Sequence, residues 1–331
     1  MREKIAGALY GMALGDAMGM PAELWGRKRV KAFFGRIEGF LDGPAENDVA
    51  FNYKKGQFTD DTGQALVLLD SIASTDYEPD TRDIALRMLA WAEKENAFEN
   101  NILGPTSKVA LANFRDNIQD SRITDKALSN GSAMRIAPIG CLFRPEQKED
   151  IARYVYLVSR ATHTSDVTIA GAAMIAEAVS SAIVKDDFEK VMEDVFGIEE
   201  IGYGMGCETF SPRLGERLRI GLDIARSYKG DDEGFIHKLY DVVGTGVGII
   251  ESVPAALSVA YYAQDPNLSC LLCANMAGDT DTIGAMATAV CGAFTGMGRI
   301  KQEYIRTLRQ QNDADFDHYI RILEKGRERF A

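Results

Sequence analysis

The sequence predicts an all-α protein of one domain, residues 1–331, on three observations. Apolar residues recur at i, i+3 and i+4 through most of the chain, as on the buried faces of helices. Strand-like alternation is scarce. Only nine prolines interrupt the chain, and no low-complexity linker or short repeat divides it. The 331 residues suffice for a large core, and 46% hydrophobic with 26% charged residues is the mix of a soluble globular protein.

The first helix is expected over 3–18. Its basic start and apolar continuation imitate a signal peptide, but Gly15-Asp16 breaks the run early. Ala6, Gly7, Gly11, Gly15 and Gly19 recur at helical spacing, as in a closely packed buried helix. Arg27-Lys28-Arg29 reads as a solvated turn. Helical spacing then continues over 60–74, 81–95, 150–161, 168–184, 213–228, 234–243, 250–263, 268–276, 281–293 and 301–310. Turn signals fall at Asp42-Gly43-Pro44, Gly104-Pro105, Lys229-Gly230-Asp231 and Asp265-Pro266-Asn267. Segments 170–183 and 284–296 are rich in Ala and Gly and nearly apolar all round, so they are expected at the centre. Segment 301–331 is charged and amphipathic, and is expected to cover the outside.

Composition excludes several classes of function. A net charge of −12 and a pI near 4.9 repel nucleic acid and anionic membrane. No stretch approaches the ~20 apolar residues of a membrane span. The glycine clusters Gly202-x-Gly204-x-Gly206 and Gly244-x-Gly246-x-Gly248 follow no credible strand, so they fail the dinucleotide fingerprint and read as loops. Of five cysteines, Cys270-x-x-Cys273 has metal-like spacing but no second pair, and reads as helix core. A reducing cytoplasm fits this usage best.

Two short stretches do not reduce to ordinary helix chemistry. Thr59-Asp60-Asp61-Thr62 precedes an apolar helix, and Asp279-Thr280-Asp281-Thr282 precedes another, behind Gly278, where a tight backbone approach would be useful. Thr and Asp are good N-caps, and acid suits a helix N-terminus. One cap needs one such residue, however, and adjacent carboxylates repel. Carboxylate and hydroxyl oxygens are also the ligands of hard cations, Mg²⁺ or Mn²⁺. If the two helix starts meet, four carboxylates without His or Cys suit two such ions; if they do not, both are caps.

These stretches sit among others that together resemble the ADP-ribosylglycohydrolase family, across about residues 4–298. The opening helix "GALYGMALGDAMGMPAE" (7–23), "FTDDT" (58–62), the loop "SNGSAMRIAPIG" (129–140), "ATHTSDVTIAGA" (161–172), "IESVPAAL" (250–257) and "AGDTDTIGAMATAVCGA" (277–293) carry the resemblance. It implies a single compact orthogonal multi-helix domain of that type. It implies that Thr59, Asp60, Asp61, Asp279, Asp281 and Thr282 bind two Mg²⁺ or Mn²⁺ ions, which hold the 2- and 3-hydroxyls of a ribose whose α-linked C1 bond is cut. Asp61 or Asp279 would accept a proton, and Glu23 matches a glutamate that can approach or leave one metal. Asn130, Gly131 and Ser132 would form the loop that meets the substrate. His163 matches a histidine at the far part of the pocket, and Gly104 and Thr106 would line its rim or form a plain loop. Asp16 is expected to act as a structural cap or helix contact, and Arg135 to pair with a nearby carboxylate. His237 and His318 lie outside these motifs.

The chain departs from the family pattern at Ala277, where glycine is common, at Thr164-Ser165, where His-Pro is frequent, and over 202–215. These changes leave the acidic set intact and bear on the substrate. The expected activity is dimetal-dependent hydrolysis of an N-ribosyl bond, with ADP-ribosyl-arginine as the type substrate and an ADP-ribosylated protein as partner. The alternatives are the same chemistry on a smaller riboside or nucleoside, and a catalytically silent binding relative. Oligomeric state is not read from the sequence.

Overall fold

The computed structural model describes residues 1–100 and 102–331, and it is all-α. The helices are α1 (Arg2–Gly19), α2 (Arg27–Phe34), α3 (Asp60–Ser74), α4 (Thr81–Lys94), α5 (Pro105–Arg115), α6 (Arg122–Asp125), α7 (Ala137–Gly140), α8 (Lys148–Ser159), α9 (Asp166–Val184), α10 (Phe188–Tyr203), α11 (Leu214–Ser227), α12 (Asp232–Val242), α13 (Ile249–Ala263), α14 (Pro266–Met276), α15 (Thr280–Thr295), α16 (Gln302–Gln311) and α17 (Phe316–Phe330). Among the described residues, strand pairing is limited to three isolated bridges.

The centre is a pair of antiparallel helices in backbone contact. Gly7, Gly11, Gly15 and Gly19 of α1 face Gly292, Thr288, Gly284 and Thr280 of α15. A Cβ on Gly15 would lie 1.9 Å from the Gly284 carbonyl oxygen, and one on Gly19 2.2 Å from that of Thr280. Every fourth residue of an α-helix lies on nearly the same face, so this spacing of small residues makes a smooth strip along which two backbones can touch. The glycine period therefore has a partner as well as a purpose. It places the C-terminal end of α1, with Asp16, against the N-terminal end of α15.

Helix α9 also lies at the centre, buried from Asp166 to Ile183. It corrects one expectation: its 19 residues are long and apolar enough to cross a membrane, yet 94% of the apolar window is covered by the rest of the protein. Helices α8 and α10 pack on it, α11 packs on α13, and the amphipathic α17 covers α1 and α3. Pro254 inside α13 has no N–H for the Ile250 carbonyl, which accepts from Arg217 Nη1 at 3.4 Å instead.

The eleven periodic segments are all helical, within one or two residues at most ends. The segment read as a solvated turn at Arg27 is instead the first turn of α2. Only Val30 of that helix is buried, so little apolar period marks it. Arg29 sits over the Trp25 ring, its guanidinium carbon 3.9 Å from the centroid. Helices α5 and α10 were not anticipated either. Phe188, Val191, Met192, Val195 and Ile198 of α10 do form a buried stripe at helical spacing, set among four glutamates and one aspartate.

The glycine seam yields a direct test. Gly15→Ala should destabilise the protein by about 1–3 kcal/mol, the usual cost of overpacking, even though alanine is the better helix former. Gly39→Ala, where a Cβ meets nothing within 4 Å, should stay within about 0.5 kcal/mol. Urea unfolding of the two variants checks both values.

Candidate active site

The two acidic helix starts meet, and a third residue organises the first of them. Thr59, the N-cap of α3, makes no side-chain capping bond of its own. The cap comes from Asp16 on α1. Its Oδ1 accepts from the Thr59 N–H and hydroxyl, both at 2.8 Å. Its Oδ2 accepts from the Thr62 N–H at 3.0 Å and the Thr62 hydroxyl at 2.6 Å. All the strong acceptor directions of one buried carboxylate are thus spent on one helix terminus. Because Asp16 does the capping, the side chains of Asp60 and Asp61 are left free for other work.

The second start is held by backbone. Thr280 Oγ1 donates to the Gly19 carbonyl at 2.7 Å, and the Asp279 N–H donates to the Thr245 carbonyl at 2.7 Å. Gly278 has φ +86°, and a Cβ there would lie 2.2 Å from the Thr245 oxygen, so the tight approach requires glycine. Ala277 beside it adopts φ 73°, ψ 166°. That conformation costs a non-glycine residue roughly 1–3 kcal/mol. Leu24 N donates to the Gly278 carbonyl at 2.7 Å, and Gly278 N donates to that of Trp25 at 3.0 Å. This pairing draws the Glu23 turn onto the same spot.

The result is one dense acidic cluster. Glu23, Asp279 and Asp281 each offer a carboxylate oxygen within 4.8 Å of the others. Thr59 Oγ1 lies 3.2 Å from Asp61 Oδ2 and 3.5 Å from Asp281 Oδ2, so Asp281 belongs to both groups. Asp60 stands at the edge, part-exposed, with Oδ2 accepting from Gln64 Nε2 at 3.0 Å. Thr282 is buried beside Asp61 and Asp279, and its hydroxyl eases the charge on both. Burial first, and then the neighbouring carboxylates, push the Glu23, Asp61 and Asp281 carboxyls well above the usual range. Burial and the charges of Asp16 and Asp279 push Asp60 up to about 8. Burial also pushes Asp16 up to about 6, against its four hydrogen bonds.

This donor set fits hard divalent cations. It is all oxygen, it is anionic, and Asp61 Oδ1 and Asp281 Oδ1 are buried without a hydrogen-bond partner among the described residues. A buried carboxylate oxygen left unpaired is costly unless a cation or a proton neutralises it.

Other expected site residues fall into two groups. Asn130 is at the site: its Nδ2 donates to Asp279 Oδ2 at 2.5 Å, and its own N–H donates to the Val247 carbonyl. Gly131 lies behind it, where a Cβ would meet the His163 ring at 2.8 Å. Ser132 turns its hydroxyl inward. It is fully buried, with its hydroxyl donated to the Thr168 carbonyl at 3.0 Å. His163 is likewise fully buried, so it backs the Asn130 loop and does not line an open pocket. Burial and the nearby Arg135 charge lower its pKa to about 3, which keeps the ring neutral. Thr106 is buried beside Ser129, whereas Gly104 is exposed at the N-terminus of α5 with open space around it.

Of the carboxylates expected to move protons, Asp61 has no exposed surface, Asp279 only 3%, and Glu23 is part-exposed. The expected Arg135–carboxylate pair is absent among the described residues: the guanidinium donates to Gln64 and Thr162, and its Nε has no partner among them. Gln64, Ser129, Thr162 and Thr245 escaped the sequence reading. Only the glycines at 244, 246 and 248 hinted at the loop that carries Thr245. Glu251 shapes that loop by accepting from the Gly246 N–H at 2.9 Å.

Comparison with known proteins agrees with this geometry. The family model for ADP-ribosylglycohydrolase matches residues 1–329. The protein YegU of Escherichia coli (strain K12) is 44% identical over 98% of each chain. The mouse ADP-ribosylhydrolase ARH3 is 24% identical over 91% of this chain and 86% of its own. The ADP-ribosylarginine hydrolase Tri1 of Pseudomonas putida (strain GB-1) is 25% identical over 92% of this chain and 73% of its own. A solved structure titled as an ADP-ribosylglycohydrolase-related protein complex shares the fold, with a TM-score of 0.72 at 21% identity over 98% of both chains.

The crowded carboxyls give stability a definite pH dependence. Asp60 holds its proton up to about pH 8 when folded, against 3.8 as the ordinary value. The folded chain therefore binds more protons in that window, and stability falls as pH rises through it. Buried neutral His163 works the other way, but only below its ordinary value of 6.5. In chelator, urea unfolding should therefore show stability declining between about pH 6.5 and 8. Mg²⁺ should abolish the decline and Asp60→Asn should flatten it.

Proposed function

The chain belongs to the ADP-ribosylglycohydrolase family, and on that premise we propose that it is a dimetal-dependent hydrolase of an α-linked N-ribosyl bond, with ADP-ribosyl-arginine as substrate. Family membership carries hydrolase action on an ADP-ribose linkage. The name of the Pseudomonas relative supports arginine as the acceptor. The observation that carries the metal requirement is the convergence of two acidic helix starts on one spot, with two buried carboxylate oxygens left unpaired.

Thr59, Asp60, Asp61, Asp279, Asp281 and Thr282 would hold two Mg²⁺ or Mn²⁺ ions, beside Glu23. Bound there, such ions would supply positive charge for the ribose hydroxyls and for the electron density that builds up as the C1 bond breaks. Asp16 keeps the first helix start fixed through its four hydrogen bonds, so that Asp60 and Asp61 need not rearrange when substrate enters. Asn130 does the same for Asp279. Glu23 is the member of the three-carboxylate group that reaches solvent. It takes the proton of the attacking water as the C1–O bond forms, and the departing guanidine nitrogen takes up a proton as the C1–N bond breaks.

The deciding experiment is release of free ADP-ribose from an ADP-ribosyl-arginine peptide, with Mg²⁺ and with chelator. Release should need the metal. Asp281→Ala should lower it by about 10²-fold or more while the helical circular dichroism signal stays intact; a fully active variant overturns the metal assignment. Correctly folded protein that releases nothing under either condition points to a smaller α-riboside.

A further inference from the structure

Arg135 poses a problem that the site as described leaves unsolved. Its side chain is among the largest that are wholly buried, at 1% exposure, and among the described residues it makes no ion pair. A buried guanidinium without a carboxylate is costly. Six carboxylates gather nearby, yet none of them takes it directly.

Its two arms reach neutral partners. One donates from Nη1 to Gln64 Oε1 at 2.6 Å, and Gln64 Nε2 donates on to Asp60 Oδ2 at 3.0 Å. The other donates from Nη2 to Thr162 Oγ1 at 2.6 Å. Thr162 Oγ1 lies 2.8 Å from His163 Nδ1, and His163 Nε2 lies 3.1 Å from Ser129 Oγ. Ser129 Oγ donates to Thr106 Oγ1 at 3.1 Å. Ser129 immediately precedes Asn130, which holds Asp279. One unbroken chain of hydrogen bonds thus runs from Asp60, in the first acidic helix start, to the loop that supports the second.

Arginine has donors only, so Arg135 dictates the direction of the links it makes and biases those beyond them. Gln64 must turn its carbonyl to Arg135 and its amide N–H to Asp60. Thr162 must accept from Arg135, and the nearer acceptor for its own proton is His163 Nδ1 at 2.8 Å, the Ser159 carbonyl lying 3.5 Å away. The imidazole, neutral in this setting, must then carry its proton on Nε2 and donate it to Ser129. Ser129 passes its own proton to Thr106. A cation at the centre polarises both arms outward, toward the carboxylate end and toward the loop.

We propose that Arg135 and Gln64 are positioning residues for the acidic site: through a buried chain of fixed direction they present Asp60 with one oxygen occupied by an amide N–H and the other free for a cation, while the far arm steadies the Asn130 loop. This rests on the metal-binding reading of the site given above. Neither residue touches substrate or a reacting atom, so activity alone does not test the claim.

Two measurements do. The first is a calorimetric isotherm of Mn²⁺ alone on the wild-type protein and on Gln64→Met, which keeps the volume of the side chain and removes both links. The Kd for Mn²⁺ should rise about 10–100-fold in the variant, the usual consequence of losing a hydrogen-bond support behind a metal ligand. An unchanged Kd in folded Gln64→Met overturns the positioning role. Wild-type protein that binds no Mn²⁺ overturns the underlying metal reading instead. The second measurement needs no variant and no metal: ¹⁵N NMR of the His163 ring in the wild-type protein. The proton should sit on Nε2; a ring protonated on Nδ1 breaks the direction of the chain and overturns the proposal even if Gln64→Met fails to fold.

Discussion

The contact between α1 and α15 is the constraint on which the rest of this structure depends. Two helices with ordinary side chains between them sit 8–10 Å apart. Here glycine after glycine on α1 meets glycine or threonine backbone on α15, and there is no room for a methyl group. That closeness has a functional consequence. Asp16 lies among the glycines of α1 and Glu23 follows them, and Asp279, Asp281 and Thr282 open α15, so sliding the seam by one helical turn would shift these groups by about 5.4 Å. The centre of the core therefore also sets the geometry of the site.

The second constraint is electrostatic. Burial raises the proton affinity of Asp16, Glu23, Asp60, Asp61, Asp279 and Asp281, and neighbouring carboxylates raise it further for Glu23, Asp60, Asp61 and Asp281. The chain relieves this only in part. Asp16 is satisfied by backbone and hydroxyl donors, Asp279 has Asn130, and Asp60 has Gln64, whereas Asp61 and Asp281 each keep a bare oxygen. Cation binding there would release this frustration. Arg135 belongs to the same balance, a buried positive charge set one residue back from the carboxylates it serves.

Much of the fold was legible in the sequence. The long helices carry unbroken apolar spacing, and α9 and α15 announced their central position by being apolar all round. The small-residue period of α1 signalled a close-packed helix. The two Thr-Asp clusters were visible as a surplus of acid over what capping requires. What failed to show were elements with weak period, such as α2 with its single buried residue, and residues whose partners are remote. Ser132 stands within a motif that resembles a substrate loop, yet its hydroxyl turns inward to Thr168. Arg135 stands beside acidic motifs, yet it bonds an amide and a hydroxyl.

The sequence by itself determined where helices start, which faces are apolar, and which oxygen-rich turns stand ready at two helix ends. Those properties depend on residues a few positions apart, and local spacing records them. Tertiary structure alone decided that Asp16 would cap a helix 43 residues away, that the starts of α3 and α15 would meet, and that Asp60 would be held through Gln64 by a buried arginine. Most hydrogen bonds of this kind join residues tens to hundreds of positions apart in the chain, and they depend on ångström-scale direction. No period or composition encodes them, and they exist only once the glycine seam has brought the backbones together.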